Sequence, residues 1–212
     1  MISERFFVGV ATLILAMFSY ADEPEPIKLK SWTSLKHEQV VQQGLDYSCG
    51  SASIATILKY YFGDDWREDV IIADTTSRMS EQELTDRIKN GFSMMDMKQT
   101  LIRLGYQAAG VKLTTEQATR LKGPVIVLLY KETSNHFVVL RGIQRGEAFL
   151  SDPTAGNIRM SIDDFNQQWK GEVLIIGKAN TDMKALTGLT VNANETYHPE
   201  LDAVVNWRRV SQ

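Results

Sequence analysis

The chain has 212 residues, 43% of them hydrophobic and 23% charged, with a formal net charge of −3. That length is within reach of one ordinary domain, and that composition excludes both a disordered chain and one wholly embedded in a bilayer. Acidic and basic residues are interspersed, so no basic field argues for a nucleic-acid partner.

The chain opens with an export pattern. Arg5 precedes an apolar run from Phe6 to Phe18, Ser19-Tyr20-Ala21 supplies small residues at the positions a signal peptidase reads, and Asp22-Glu23-Pro24 begins a polar stretch. This predicts a secretory signal peptide over 1–21 and a mature chain beginning near Asp22. The apolar run falls short of the roughly 20 residues that span a bilayer, and no later segment is expected to cross a membrane. The expected location is the periplasm or the exterior. Export gives weight to Cys49, the only cysteine. Oxidising compartments favour paired cysteines, so a lone thiol there is either sheltered or used.

Residues 22–36 contain two prolines and read as an extended lead-in. His37 to Gln43 carries Val40-Val41, read as a short strand that delivers Gln43. Gly44, Asp46 and Ser48 are turn formers, and after Cys49 come small residues and then Ile54, Ile57 and Leu58 at helical spacing. The pattern predicts a loop opening into a buried helix, with Cys49 at its start and Gly63 as its stop. A thiol there meets the positive end of the helix dipole and free backbone N–H groups, which favour thiolate. Gln43, six positions upstream, carries an amide able to donate to a developing oxyanion. From this stretch alone two readings stand: Cys49 is a nucleophile, or it is a buried core cysteine of the common kind.

Further helical patterns run from Trp66 to Asp74, from Ser80 with Glu83 as its capping-box partner, from Ser93 through Met97 and Leu101, and from Glu116 to Leu121 behind Thr114 or Thr115. At Gly123-Pro124 the period changes. Strands are predicted at Val125–Tyr130, His136–Ile143, Glu147–Ser151, Ile158–Met160 and Val173–Ile176, with a helix capped by Ser161 between the last two. Helices first and strands afterwards predict an α+β domain over 37–178, its N-terminal helices packed on an antiparallel sheet. Residues 179–212 form a C-terminal extension for which an unstructured tail, a docking segment and a small helical addition are all open. His37, His136 and His198 lie too far apart to form a local metal motif, and no phosphate-binding loop is present. No cofactor or metal is expected.

A cysteine nucleophile needs a base, and the base an orienting group. His136 opens a strand after the polar turn Thr133-Ser134-Asn135, and Asp152 follows the next strand, beside His136 if the two strands pair as a hairpin. Each has an ordinary structural reading, a surface histidine and a turn aspartate before proline. Taken together, Gln43, Cys49, His136 and Asp152, in that order across helix and sheet, match the layout of oxyanion amide, thiolate, imidazole and orienting side chain seen in papain-like enzymes.

Those residues carry a resemblance. Gln43 six positions before Cys49-Gly50, then Asn135-His136-Phe137-Val138-Val139-Leu140, Ser151-Asp152-Pro153-Thr154-Ala155-Gly156 and Phe165…Trp169-Lys170-Gly171 resemble the motifs of the double-glycine, bacteriocin-processing cysteine peptidases, family 39 of the papain-like clan. The match covers about residues 36–177. Many members carry an acidic residue just before the cysteine, where this chain has Ser48. The resemblance implies a papain-like fold, Cys49 as nucleophile, His136 as base and acid, Asp152 as orienter and Gln43 as oxyanion donor. It also implies cleavage after a Gly-Gly pair in a protein or peptide substrate. The export pattern makes the chain similar to stand-alone exported members, some of which accompany systems that secrete adhesins or functional amyloid, so a secretion-system partner is expected. The alternative is a non-catalytic module that binds a Gly-rich segment of a secreted partner.

Overall fold

A computed structural model of the protein describes residues 31–132, 134–181, 188–191 and 195. The predicted signal peptide and most of the lead-in lie outside the described residues.

The described chain begins with a short helix, α1 (Trp32–Lys36), where the sequence reading expected extended backbone. Val40-Val41 forms no strand. The backbone N–H of Val41 is instead taken by the Thr56 hydroxyl at 3.0 Å. Four helices follow: α2 (Cys49–Tyr60), α3 (Glu68–Thr76), α4 (Glu81–Asn90) and α5 (Met94–Arg103). Local chemistry fixes their ends. The Ser80 and Ser93 hydroxyls each accept the backbone N–H of the third residue of their helices, and the Glu83 and Asp96 carboxylates accept the backbone N–H of the cap in turn. α4 is largely polar and buries no residue; of its two apolar side chains, Leu84 is partly covered and Ile88 is half exposed.

Six strands follow: β1 (Gln107–Lys112), β2 (Val125–Tyr130), β3 (Asn135–Gln144), β4 (Glu147–Asp152), β5 (Gly156–Ser161) and β6 (Trp169–Gly177). The one-turn helix α6 (Thr115–Ala118), capped by Thr114, precedes β2, and α7 (Ile162–Gln168), capped by Ser161, precedes β6. All pairings are antiparallel, in the order β1-β6-β2-β3-β4-β5. β1 had no expected counterpart in the sequence. Its Gln-Ala-Ala-Gly-Val-Lys is poor in β-formers and mostly exposed, so it shows neither the propensity nor the alternation that marks a strand.

The apolar runs in β2, β3 and β6 are continuous because this sheet is covered on both faces. Ile126, Val139, Leu174 and Ile176 pack with Ile54, Ile57 and Leu58 of α2 and with Met97 and Leu101 of α5. Their alternates Val127, Leu129, Val138, Leu140 and Val173 pack on the other side with Phe165 and Trp169. α2 is enclosed: every residue from Cys49 to Leu58 is buried. Lys178 and Tyr106 both bond the Asp64 carboxylate, at 2.7 and 2.5 Å, pinning the end of β6 to the α2–α3 connection.

Part of the C-terminal extension docks. Leu189 is 2% exposed and joins the core on the α2 face. Gly188 lies so close to the carbonyl of Tyr60 that a Cβ would collide with it. Farther on, the Glu195 carboxylate forms an ion pair with the guanidinium of Arg141 in β3, whose side chain is 7% exposed. Truncating Leu189 to Ala is expected to lower the unfolding free energy by about 2–4 kcal/mol, measured by denaturant titration. A loss below about 0.5 kcal/mol, ordinary for a surface site, would mean that the docked segment contributes no core.

Candidate active site

Cys49 is the first residue of α2 and is 7% exposed. The loop before it is internally bonded. The Ser48 hydroxyl sits 2.9 Å from the Leu45 carbonyl and accepts from the Leu45 N–H at 3.1 Å, while the Ser48 N–H also reaches the Leu45 carbonyl at 3.1 Å. Tyr47 packs edge-on against Phe92, with ring centroids 5.7 Å apart.

The other half of the site comes from the β3–β4 hairpin. Val139 lies opposite Ser151, and Leu140 opposite Leu150. Stepping by two along each strand brings His136 and Asp152 to the same side of the hairpin, because directly opposed residues share a face. Their side chains meet: His136 Nε2 lies 2.8 Å from Asp152 Oδ1. Nε2 is thus engaged, and the Cys49 side chain lies close enough to the imidazole to contribute to its raised pKa. The structure therefore brings together Cys49, His136 and Asp152 from α2, β3 and β4, elements far apart in sequence.

Asp152 is 2% exposed, and its Oδ1 also accepts the backbone N–H groups of Thr154 and Ala155, at 2.8 and 3.1 Å. Lys131 Nζ stands 3.8 Å from Oδ2. Burial alone would raise the carboxyl pKa; the hydrogen bond and charge of His136 and the two backbone donors outweigh it and bring the value down to about 2. Burial would lower the imidazole pKa, but the hydrogen bond the ring donates to Asp152, then the interaction with Cys49, and the charges of both lift it to about 9.

Gln43 is anchored on the Asp152 loop. Its backbone N–H donates to the Pro153 carbonyl at 3.1 Å, and its Oε1 accepts from the Thr154 hydroxyl at 3.0 Å. Its Nε2 donates one hydrogen to the Leu45 carbonyl at 2.9 Å; the second has no acceptor among the described residues. Gln43 makes no hydrogen bond to Cys49. The loop itself passes close to α1. Gly156, at φ +81, presses on the Lys36 backbone and the His37 ring, leaving no room for a Cβ.

Sequence reasoning missed Thr154, Lys131 and Glu68. Thr154 carries a local signal, an Asx-type turn after Asp-Pro. Glu68 carries none, since its contacts with Gly44 and Ser48 reach across 24 and 20 positions. Among the described residues no group of histidines, cysteines and carboxylates could hold a metal ion, and no helix is long and apolar enough to cross a membrane.

The family model described as "Peptidase C39 family" matches residues 37–181. The chain belongs to the Peptidase C39 family. This peptidase is 33% identical over 182 residues to the "Probable functional amyloid protease FapD" of Pseudomonas fluorescens, covering 83% of this chain and 79% of that one. It is 30% identical over 150 residues to the "Lactococcin-G-processing and transport ATP-binding protein LagD" of Lactococcus lactis subsp. lactis, covering 69% of this chain and 20% of that one. In fold it is similar to the peptidase domain of Streptococcus ComA (TM-score 0.57, 21% identity, 67% of this chain and 99% of that one). It is also similar to a double glycine motif protease from an AMS/PCAT transporter (TM-score 0.53, 23% identity, 66% and 91%). The C39 peptidase is thus a cysteine peptidase with an α+β, papain-like fold.

The pH behaviour of the pair follows from the two shifts. The raised His136 contributes stability that is complete below pH 6.5 and lost as pH rises through about 9. The depressed Asp152 contributes stability that is present above pH 3.8 and lost as pH falls through about 2. Asp152→Asn is expected to destabilise the peptidase most between those limits and to drop the His136 pKa toward 6.5. NMR titration of the imidazole, with unfolding free energies at several pH values, checks this. A His136 pKa that stays near 9 in the variant would show that Asp152 does not hold it.

Proposed function

We propose that this peptidase is exported and cuts a peptide bond after a Gly-Gly pair in a secreted or periplasmic protein, as part of a system that exports adhesins or functional amyloid. The observation that carries the catalytic reading is the seating of His136, with Nε2 on Asp152 Oδ1 at 2.8 Å and the Cys49 side chain close enough to the ring to raise its pKa. In this reading Cys49 is the nucleophile, His136 the base and acid, Asp152 the orienter and Gln43 an oxyanion donor. The FapD and LagD names support the substrate class, and the N-terminal export pattern supports the compartment.

The Cys49 thiolate, beside protonated His136, attacks the scissile carbonyl carbon, and the C=O electron pair moves onto oxygen. The second Nε2 hydrogen of Gln43 and backbone N–H groups at the start of α2, which the helix cannot bond internally, face that oxyanion. His136 gives its proton to the amine as the C–N bond breaks, leaving a thioester. It then takes a proton from water, hydroxide attacks the thioester, and the thiolate departs with release of the new carboxylate. In this reading Tyr47, half-buried against Phe92 two residues before the nucleophile, is a wall of the approach. An approach narrowed in that way would favour residues without a Cβ on the acyl side.

The test uses the mature protein and synthetic peptides with one central Gly-Gly. Expected are products ending in a free Gly-Gly carboxylate and a loss of roughly 10–100-fold in kcat/KM when either glycine becomes alanine. Cys49→Ala is expected to abolish cleavage without unfolding the domain. Gln43→Ala is expected to lower kcat by about 10²-fold, the worth of one oxyanion donor, with KM nearly unchanged. Cleavage by Cys49→Ala would end the catalytic assignment, and equal cutting of the alanine-substituted peptides would end the Gly-Gly assignment.

A further inference from the structure

Glu68, the first residue of α3, reaches back to the loop that carries the site. Both of its carboxylate oxygens accept the backbone N–H of Gly44, at 3.1 and 2.9 Å. One of them also lies 2.5 Å from the Ser48 hydroxyl. Ser48 is fully buried and Glu68 partly so, and a bond from a hydroxyl to a carboxylate is of the strong, charge-assisted kind. The two points of attachment are the residue after Gln43 and the residue before Cys49. One carboxylate thereby ties together the two ends of the loop that separates the oxyanion amide from the nucleophile. At Gln43 the backbone is held from both sides, since its own N–H is taken by the Pro153 carbonyl and the next N–H by Glu68. That fixes the peptide units flanking its Cα, and with them the direction in which its side chain leaves the chain. Gly44 is matched to the contact: a Cβ there would stand 3.2 Å from Glu68 Oε2.

We propose that Glu68 is a positioning residue for catalysis. It holds the Gln43–Cys49 loop so that the Gln43 amide and the start of α2 address the same oxyanion, and it touches neither substrate nor reacting atoms. This rests on the catalytic reading above and adds to it. A donor displaced by an ångström is no longer aimed at the developing charge, and misplacements of that size are costly in rate. Glu68→Gln retains a single acceptor oxygen and cannot serve both attachments with the same strength. Glu68→Ala removes both, and Ser48→Ala removes only the attachment next to Cys49.

The experiment compares Glu68→Ala, Glu68→Gln, Glu68→Asp and Ser48→Ala, each also in the Gln43→Ala background, using a Gly-Gly peptide that the wild-type protein cleaves. Rates are taken per reactive thiol, counted with iodoacetamide, well below the unfolding temperature. Expected is a fall in kcat of about tenfold or more for Glu68→Ala, with KM within about twofold and partial recovery in Glu68→Asp or Glu68→Gln. The rate of Cys49 alkylation should stay near wild type, because the Cys49–His136 contact is untouched. In the Gln43→Ala background the same substitution should cost little more, since both changes disable one donor. A purely structural role would lower the melting temperature and leave kcat per thiol unchanged, which would overturn the proposal. So would full additivity with Gln43→Ala, or a parallel loss of alkylation rate. If Glu68→Ala does not fold, Glu68→Gln and Ser48→Ala carry the same tests. A wild-type protein that cuts none of the peptides sinks the reaction assignment. A wild type that cuts while the folded variants match it sinks only the role of Glu68.

Discussion

One oxygen atom organises this site. Asp152 Oδ1 collects the imidazole of His136 and the N–H groups of Thr154 and Ala155. A buried charge is tolerable only when it is satisfied by donors, and these three come from a strand and from the turn that follows the aspartate itself. The same oxygen therefore fixes two things at once, the plane of the imidazole and the shape of the Asp152–Gly156 turn. The turn in turn receives Gln43 through the Pro153 carbonyl and the Thr154 hydroxyl. If the carboxylate moved, the ring and the loop carrying the amide would move with it.

The division of labour between sheet and helix follows from this. The hairpin register sets His136 and Asp152 side by side, a matter of period-two geometry that needs no special residue. Cys49 has no partner along its own segment and is brought to the imidazole only because α2 is buried along its length against the sheet and against α3 and α5. The packing that makes Ile54, Ile57 and Leu58 core residues also delivers the sulfur. Core packing and the seating of Cys49 share one helix, so core substitutions on α2 bear on both.

Much of this was legible in the chain. The runs at Val125–Tyr130 and Phe137–Leu140, the serines at 80, 93 and 161 and the glycine after α2 each carry strong local signals, and the elements stand within a residue or two of where those signals put them. Features without such a signal stayed hidden. β1 is an exposed edge strand of Ala-Ala-Gly, and a helical turn at Trp32–Lys36 follows a proline-bearing stretch. The proximity of Cys49, His136 and Asp152 was legible as an ordered set of residue types, whereas Glu68 was not. Ser48 shows why: the position before the cysteine offers a hydroxyl, and the charge that hydroxyl meets comes from the next helix, twenty positions away.

The docked segment at Leu189 has a mechanical consequence for the sulfur of Cys49. Cys49 and Tyr60 are the first and last residues of the same 12-residue helix, a rod about 16 Å from end to end at 1.5 Å per residue. Gly188 abuts the carbonyl at its far tip, while the near tip faces the imidazole. The rod is thus chocked lengthwise, and sliding away from His136 would drive its tip into the returning chain. A segment beyond the last strand thus serves as an end-stop for the helix that carries Cys49.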